Sequence, residues 1–252
     1  MSQLSIKETY NSNGRLSERY YLIGDELHSD DHHAYESFHN NSTGSLATRE
    51  WWVHGNRHRT DGPAYEYYYE SGALNGRQWY ENDLHHREGA PAGETFFEDG
   101  AIKNRQWWHQ DKLHRLDGPA MEGFYKDGQI KFYKYFVDNN VHRIGEPAYK
   151  FFHLDGALQC QRWYINDKSH REDGPAEEWY YPCGAVQHRI WYNNDNLHRL
   201  DGPAKEQFNQ RGRLLTAAYY LDGKQLSKAE YSRRISLQKM ATKTKITHDV
   251  SL

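Results

Sequence analysis

The stretch His114–Ala120 reads HRLDGPA, and its recurrence decides the fold. Strings of the same build begin at His58 (HRTDGPA), His170 (HREDGPA) and His198 (HRLDGPA). Looser ones begin at His86 (HREGAPA) and His142 (HRIGEPA). From His58 to His198 the step is 28 residues each time, and a degraded copy, HSDDHHA, begins at His28, 30 residues upstream of His58. A fixed period of this size marks a repeat array, in which each repeat is one supersecondary unit buried by its neighbours.

Counting each repeat from its histidine as zero, a glycine stands at position 14: Gly72, Gly100, Gly128, Gly156, Gly184 and Gly212. Gly14 fits as the turn of an N-terminal half unit, and Gly44 fits if two residues are inserted in HNNSTGS. Asp99, Asp127 and Asp155 precede three of these glycines, and Asp-Gly between strand-like residues predicts a hairpin with a type I′ turn. A second turn, rich in Asn and Asp, precedes each histidine, as in ENDLH and NNDNLH. Each repeat therefore reads as two strands of about six residues, with no room for a helix.

Aromatic columns accompany the turns. Position 21 carries Trp51, Trp79, Trp107, Tyr135, Trp163, Trp191 and Tyr219, and position 22 an aromatic in every copy. Position 10 is always aromatic and position 16 always aliphatic. Neighbouring strand residues face opposite ways, so a ring-on-ring ladder is expected on each face of the sheet. Position 8 is Glu in most copies, and register predicts that it faces Arg77, Arg105 and Arg189 at position 19. The Arg after each His is a second candidate partner for that carboxylate.

These observations predict an all-β solenoid of tandem antiparallel β-hairpins, a single elongated twisted sheet, with a short C-terminal capping helix. Residues 1–27 are expected to form a capping half unit, 28–226 the repeats, and 227–252 the cap and tail. Ser227 and Glu230 make a capping box, which starts a helix from Lys228 to about Met240, followed by a frayed tail from Ala241.

Composition narrows the function classes. Aromatic residues make up 15% of the chain, with 20 Tyr and 8 Trp, against a hydrophobic fraction of 37%. Disordered chains lack such aromatics. Net charge is −3, with 32 basic and 35 acidic residues, which disfavours nucleic acid as a partner. Two cysteines, Cys160 and Cys183, are too few for a disulfide framework. Without an apolar run of membrane length or a basic-then-apolar leader, the expectation is a soluble cytoplasmic protein.

The tandem hairpins with glycine turns and aromatic strand ends resemble the MORN repeat class over about Tyr20 to Leu226. The resemblance is architectural, since MORN repeats are shorter and lack the GPA string. At letter level the chain is similar to 28-residue HRxDGPA arrays of viral and bacterial proteins. The resemblance implies an interaction surface for partner proteins or membrane lipids, and no binding residue carries across from it.

The repeat spacing limits the candidate sites. Histidines repeating at about 10 Å, two strands per repeat, cannot share one metal, so the His-Arg pairs read as structural. The His-rich first copy (His28, His32, His33, His39) and the irregular stretch with Lys150, His153, Cys160, Cys183 and His188 have no close ligand spacing. No catalytic residue, cofactor or metal is assigned. The remaining candidate is a surface at positions 9 and 11: Tyr67, Tyr69, Phe97, Tyr125, Phe151, Trp179 and Tyr181. It would form an aromatic strip about 50 Å long, and apolar patches of that size mark interaction sites. The expected function is a non-enzymatic scaffold binding another protein through this face. Self-association through sheet edges is a further expectation. A lipid or carbohydrate module, helped by Lys228, Arg233, Arg234 and Lys239, or an enzyme at an irregular repeat, are the alternatives.

Overall fold

The computed structural model describes residues 3–249 and is mostly β: antiparallel hairpins in tandem, one C-terminal helix and no closed barrel. The chain divides into two compact units, Met1–Asn140 and Val141–Leu252. The same repeat builds both.

The repeat that starts at His58 shows the construction. Strand Tyr65–Tyr68 pairs with Leu74–Gln78, placing Glu66 opposite Arg77 as the register predicts. Arg77 also faces Glu94 on the first strand of the next repeat, Gly93–Phe96, and its Nε lies 2.7 Å from the Glu94 carboxylate. In the hairpin loop Gly72 donates its N–H to the Tyr69 carbonyl (2.9 Å), and Tyr69 donates its own to Ala73 (2.9 Å). The expected type I′ turn is not what forms. The glycine is left-handed (φ 84° at Gly72), whereas Asp99, Asp127 and Asp155 of the sister loops are not among the positive-φ residues. This is a turn closed by a glycine bulge, and each Asp instead accepts the N–H two residues on, as Asp99 does from Ala101 (3.1 Å). Gly14 and Gly44 take the same left-handed role, at φ 71° and 58°. The insertion falls in HNNSTGS as expected: His39 reaches Ser45 where Tyr69 reaches Ala73.

The second expected strand is broken. Trp79 leaves the sheet, and the chain forms a separate ribbon, Tyr80–Glu81 with Leu84–His85, around Asn82 (φ 49°) and Asp83 (φ 64°). Both central residues are left-handed, which is the type I′ signature. A repeat is thus four short strands rather than two of about six residues. At the break the Trp79 N–H donates to the Ala92 carbonyl of the next repeat (2.8 Å), and its carbonyl accepts from His86 (3.2 Å). The turns also stack on one another: Asp83 Oδ1 accepts the N–H of Arg57 in the ribbon before it (2.8 Å).

The heptapeptide locks this crossing. In the intact copies the Arg Nε donates to the Asp two residues on, at 2.7 Å for Arg59, 2.8 Å for Arg115 and Arg171, and 2.6 Å for Arg199. A second nitrogen donates to the Pro carbonyl of the same loop, at 3.3 Å from Arg115 to Pro119. The guanidinium lies over the preceding Trp, 4.1 Å for Arg115 on Trp107 and 3.7 Å for Arg199 on Trp191. The predicted ring-on-ring ladder at position 21 is therefore replaced by an Arg-on-Trp stack. The loop glycine makes room for it: a Cβ on Gly118 would stand 2.7 Å from Arg115 Cζ. The same Arg reaches the position-8 carboxylate, as in Arg199 to Glu206 at 3.1 Å.

What is fully buried is small. The alanines that end the heptapeptides, Ala64, Ala92, Ala120, Ala148, Ala176 and Ala204, are 0–1% exposed, while most aromatics of positions 10, 21 and 22 are half-buried. Position 16 is likewise half-buried, and Leu214 is exposed. A side chain larger than Ala would separate the crossing strands.

Val141–Leu252 closes on the helix Lys228–Asp249. Ser227 Oγ accepts the N–H of Glu230 (3.2 Å), the N-cap expected from the sequence. The helix runs past Met240 and takes in most of the segment expected to fray; residues 250–252 lie outside the described residues. Tyr231 and Ile235 pack on Tyr219, Leu221 and Leu226 of the last hairpin. Among the described residues no helix is long and apolar enough to cross a membrane.

Candidate functional site

The seven surface candidates fall into two sets. Tyr67, Phe151 and Trp179 lie within strands, whereas Tyr69, Phe97, Tyr125 and Tyr181 stand just past a strand, at the hairpin loops. All seven are half-buried. Two of the loop set tie repeats together: the Tyr69 hydroxyl donates to the Phe96 carbonyl (2.9 Å) and the Tyr181 hydroxyl to the Phe208 carbonyl (3.0 Å). Such rings are partly committed to the array.

The strand set rests on its partners at position 18. Tyr67 faces Gly76, and a Cβ on that glycine would overlap the Tyr67 ring. Gly123 at position 9 reverses the arrangement beneath Phe132. Phe151 and Trp179 flank Cys160, one on each side. A large ring thus faces a small residue across the ladder, a size complementarity readable in the sequence once the register is known.

Around Cys160 these pairs make one patch. The Trp179 indole N–H donates to Glu177, Arg162 lies 5.2 Å from the indole centroid, and Arg162 pairs with Glu177 at 3.5 Å. Tyr149 meets Phe151 edge-on (centroids 6.3 Å apart) and Tyr164 at a tilt (5.2 Å). Burial pushes the Cys160 thiol up to about 11 and the Tyr149 phenol up to about 12. A thiol held protonated is a poor nucleophile, so this fully buried group works as apolar packing between the rings. In Met1–Asn140 the corresponding rings enclose a cation of the chain itself: Arg57 lies 5.0 Å from Trp52, 5.4 Å from Tyr65 and 5.5 Å from Tyr80, with Glu50 at 2.8 Å.

On the loop side of Val141–Leu252 a recess of about 620 Å³ opens beside Trp191, between the loops of His170 and His198. Its charged residues engage one another, as Arg171 does Asp173 and Arg199 does Asp201.

The histidines of the first copy are separately engaged. His28 meets Asp30 (3.2 Å), His32 the His33 carbonyl (2.6 Å), His33 the Glu36 carboxylate (3.0 Å) and His39 the Tyr68 carbonyl (3.1 Å). His153 meets the Tyr180 carbonyl at 3.4 Å, and Lys150 lies 3.7 Å from Glu146. One group is invisible to sequence spacing. His86, Glu88 and His109 offer ligating atoms that all lie within 4.8 Å of one another, and among the described residues they are the only such trio. The period relates histidines one repeat apart, whereas His109 belongs to the ribbon turn that the fold brings over His86.

No family model matches the chain, and no curated protein matches it. Among solved structures, the crystal structure of TcdB2-TccC3-TEV is similar over 85% of this chain and 14% of that one, at 8% identity and a TM-score of 0.19. A Photorhabdus luminescens Tc holotoxin pore structure is similar over 85% of this chain and 14% of its own, at 9% identity and a TM-score of 0.17. The chain thus spans about one seventh of these structures, and a likeness of that size assigns neither fold nor function.

Proposed function

We propose that the array is a non-enzymatic scaffold that binds a partner protein through the strand-borne rings, centred on Trp179 and Phe151 in one unit and Tyr67 in the other. The observation that carries this reading is the patch around Cys160. Its rings are held rigid by ladder partners, and an apolar thiol lies between them. Rigid Trp and Tyr anchors give contact area at little entropic cost. The helix packs on the last hairpin rather than on this patch. Position 9 mixes the rings with Thr95, Gly123 and Gln207, which suits a mixed protein interface better than a lipid surface.

The test is co-purification followed by substitution. A protein captured with the full chain should lose affinity on Trp179→Ala or Tyr67→Ala, while Tyr181→Phe should leave it unchanged. Failure of both alanine variants to weaken a demonstrated complex would sink the choice of face. Liposome flotation lost on deleting residues 228–252 would replace this reading with a lipid-binding one.

A further inference from the structure

In five copies the histidine ring is a rung between the loop that opens a repeat and the ribbon turn that closes it. Its Nδ1 accepts the N–H of the next ribbon turn: His28 from His54 (3.1 Å), His58 from Asn82 (3.3 Å), His114 from Asp138 (3.3 Å), His142 from Asn166 (3.2 Å) and His198 from Asp222 (3.2 Å). His86 departs from this, and its Nδ1 is buried without a hydrogen-bond partner. Its loop departs too. HREGAPA lacks the Asp of the Arg clasp, and Gly89 stands there with φ 66°. In this loop the Glu88 carboxylate lies 3.3 Å from His86 Nε2. The His109 ring meets that of His86 edge-on, with centroids 4.8 Å apart, and the Glu81 carboxylate lies 3.8 Å from His86 Nε2.

We infer that His86, Glu88 and His109 form a binding site for a divalent transition ion of the zinc class. Two imidazoles and one carboxylate are a donor set that suits zinc, with the fourth position left to water or Glu81. Ligand atoms around a tetrahedral ion with bonds of about 2.0–2.1 Å stand about 3.3 Å apart. The His86–Glu88 distance already has that value. Glu88 and His109 are exposed, so both can close the remaining gap without disturbing the sheet. The ion would join the His86 loop to the ribbon that closes the same repeat, where the Arg87 loop has no Asp.

His170 provides an internal control. Its Nδ1 is likewise buried and unpartnered, and Glu172 follows it as Glu88 follows His86, but Asn193 occupies the position of His109. The experiment uses the full chain, stripped with chelator and titrated with Zn2+ by calorimetry and with Co2+ by visible absorption. One equivalent should bind saturably and raise the melting temperature. Glu88→Gln and His109→Ala should each weaken it by at least about tenfold, the loss seen even for residues that only support ligands. His170→Ala should bind as the parent does. Because Glu88 and His109 are exposed, far-UV circular dichroism should show both variants folded. Absence of saturable binding, or binding that survives both substitutions, would overturn the site. So would equal weakening by His170→Ala, which would mean diffuse histidine binding.

Discussion

Removing the Arg171 guanidinium from the face of Trp163 tests the feature that joins one repeat to the next. Trp163 is 8% exposed, and the guanidinium lies 4.0 Å from its centroid. The Arg171 side chain keeps 24% of its exposure, so the stack is partly desolvated. A cation–π contact ranges from about 0.5–1 kcal/mol when exposed to about 2 kcal/mol when desolvated, which places this one at about 1–1.5 kcal/mol. The pair with Asp173, whose side chain is 82% exposed, adds at most about 0.2–1 kcal/mol. The bond to the Pro175 carbonyl at 3.4 Å is long, and about 0.5–1 kcal/mol is reasonable for it. Arg171→Ala should therefore cost about 2–3 kcal/mol, and Asp173→Asn well under half of that. Trp163→Ala should cost about 3–5 kcal/mol, as a buried Trp. The decisive quantity is the coupling in a double-mutant cycle, read from urea titrations followed by far-UV circular dichroism. It should be about 1–1.5 kcal/mol, and Arg171→Lys should lose most of it because an ammonium neither stacks flat nor forks. Additivity to within about 0.3–0.5 kcal/mol would refute the claim that the stack holds the crossing.

Other expectations follow from the same geometry. Gly118→Ala would place a methyl 2.7 Å from Arg115 Cζ, displacing the guanidinium and costing at most the stack it leaves, about 1–1.5 kcal/mol, measured by the same titration; Ala90→Gly should be nearly neutral, since that loop already accommodates a Cβ at the equivalent position. With Cys160 buried and Cys183 exposed, a thiol reagent at pH 8 should modify one cysteine quickly and the other only on unfolding. Because burial raises the Cys160 thiol from about 9 to about 11, the unfolded chain ionises first, and stability should fall as pH rises across that window. Burial acts oppositely on His85 and His33, whose protonation it disfavours. Stability should therefore also fall as pH drops through the ordinary imidazole value, seen as a lower urea midpoint at pH 5 than at pH 7.

Much of the fold was legible because repetition averages out local ambiguity. The positions of Gly72 and its equivalents, the facing of Glu66 and Arg77, the Ser227 cap and the hairpin order could all be read from spacing and residue type. The type of the Asp-Gly loop could not, because a bulge and a two-residue turn demand similar residues. Nor could the break at Trp79, since a tryptophan column looks the same whether it continues a strand or leaves it. The aromatics of positions 9 and 11 could be located in the sequence, but their division into strand and loop sets depends on where the bulge falls.

The 28-residue period thus determined that this chain stacks like antiparallel hairpins, since only neighbouring copies can bury what each copy exposes. The tertiary structure decided what the recurring string HRxDGPA accomplishes. Arginine, aspartate and proline carbonyl close on one another within a single loop, but the tryptophan eight residues upstream comes under the guanidinium only because the chain leaves the sheet at that point, and a repeated string does not show where that happens. It likewise decided that His109 lies over His86. A ribbon turn brings together residues 23 positions apart, and such proximity arises from backbone geometry that a period can count but cannot orient.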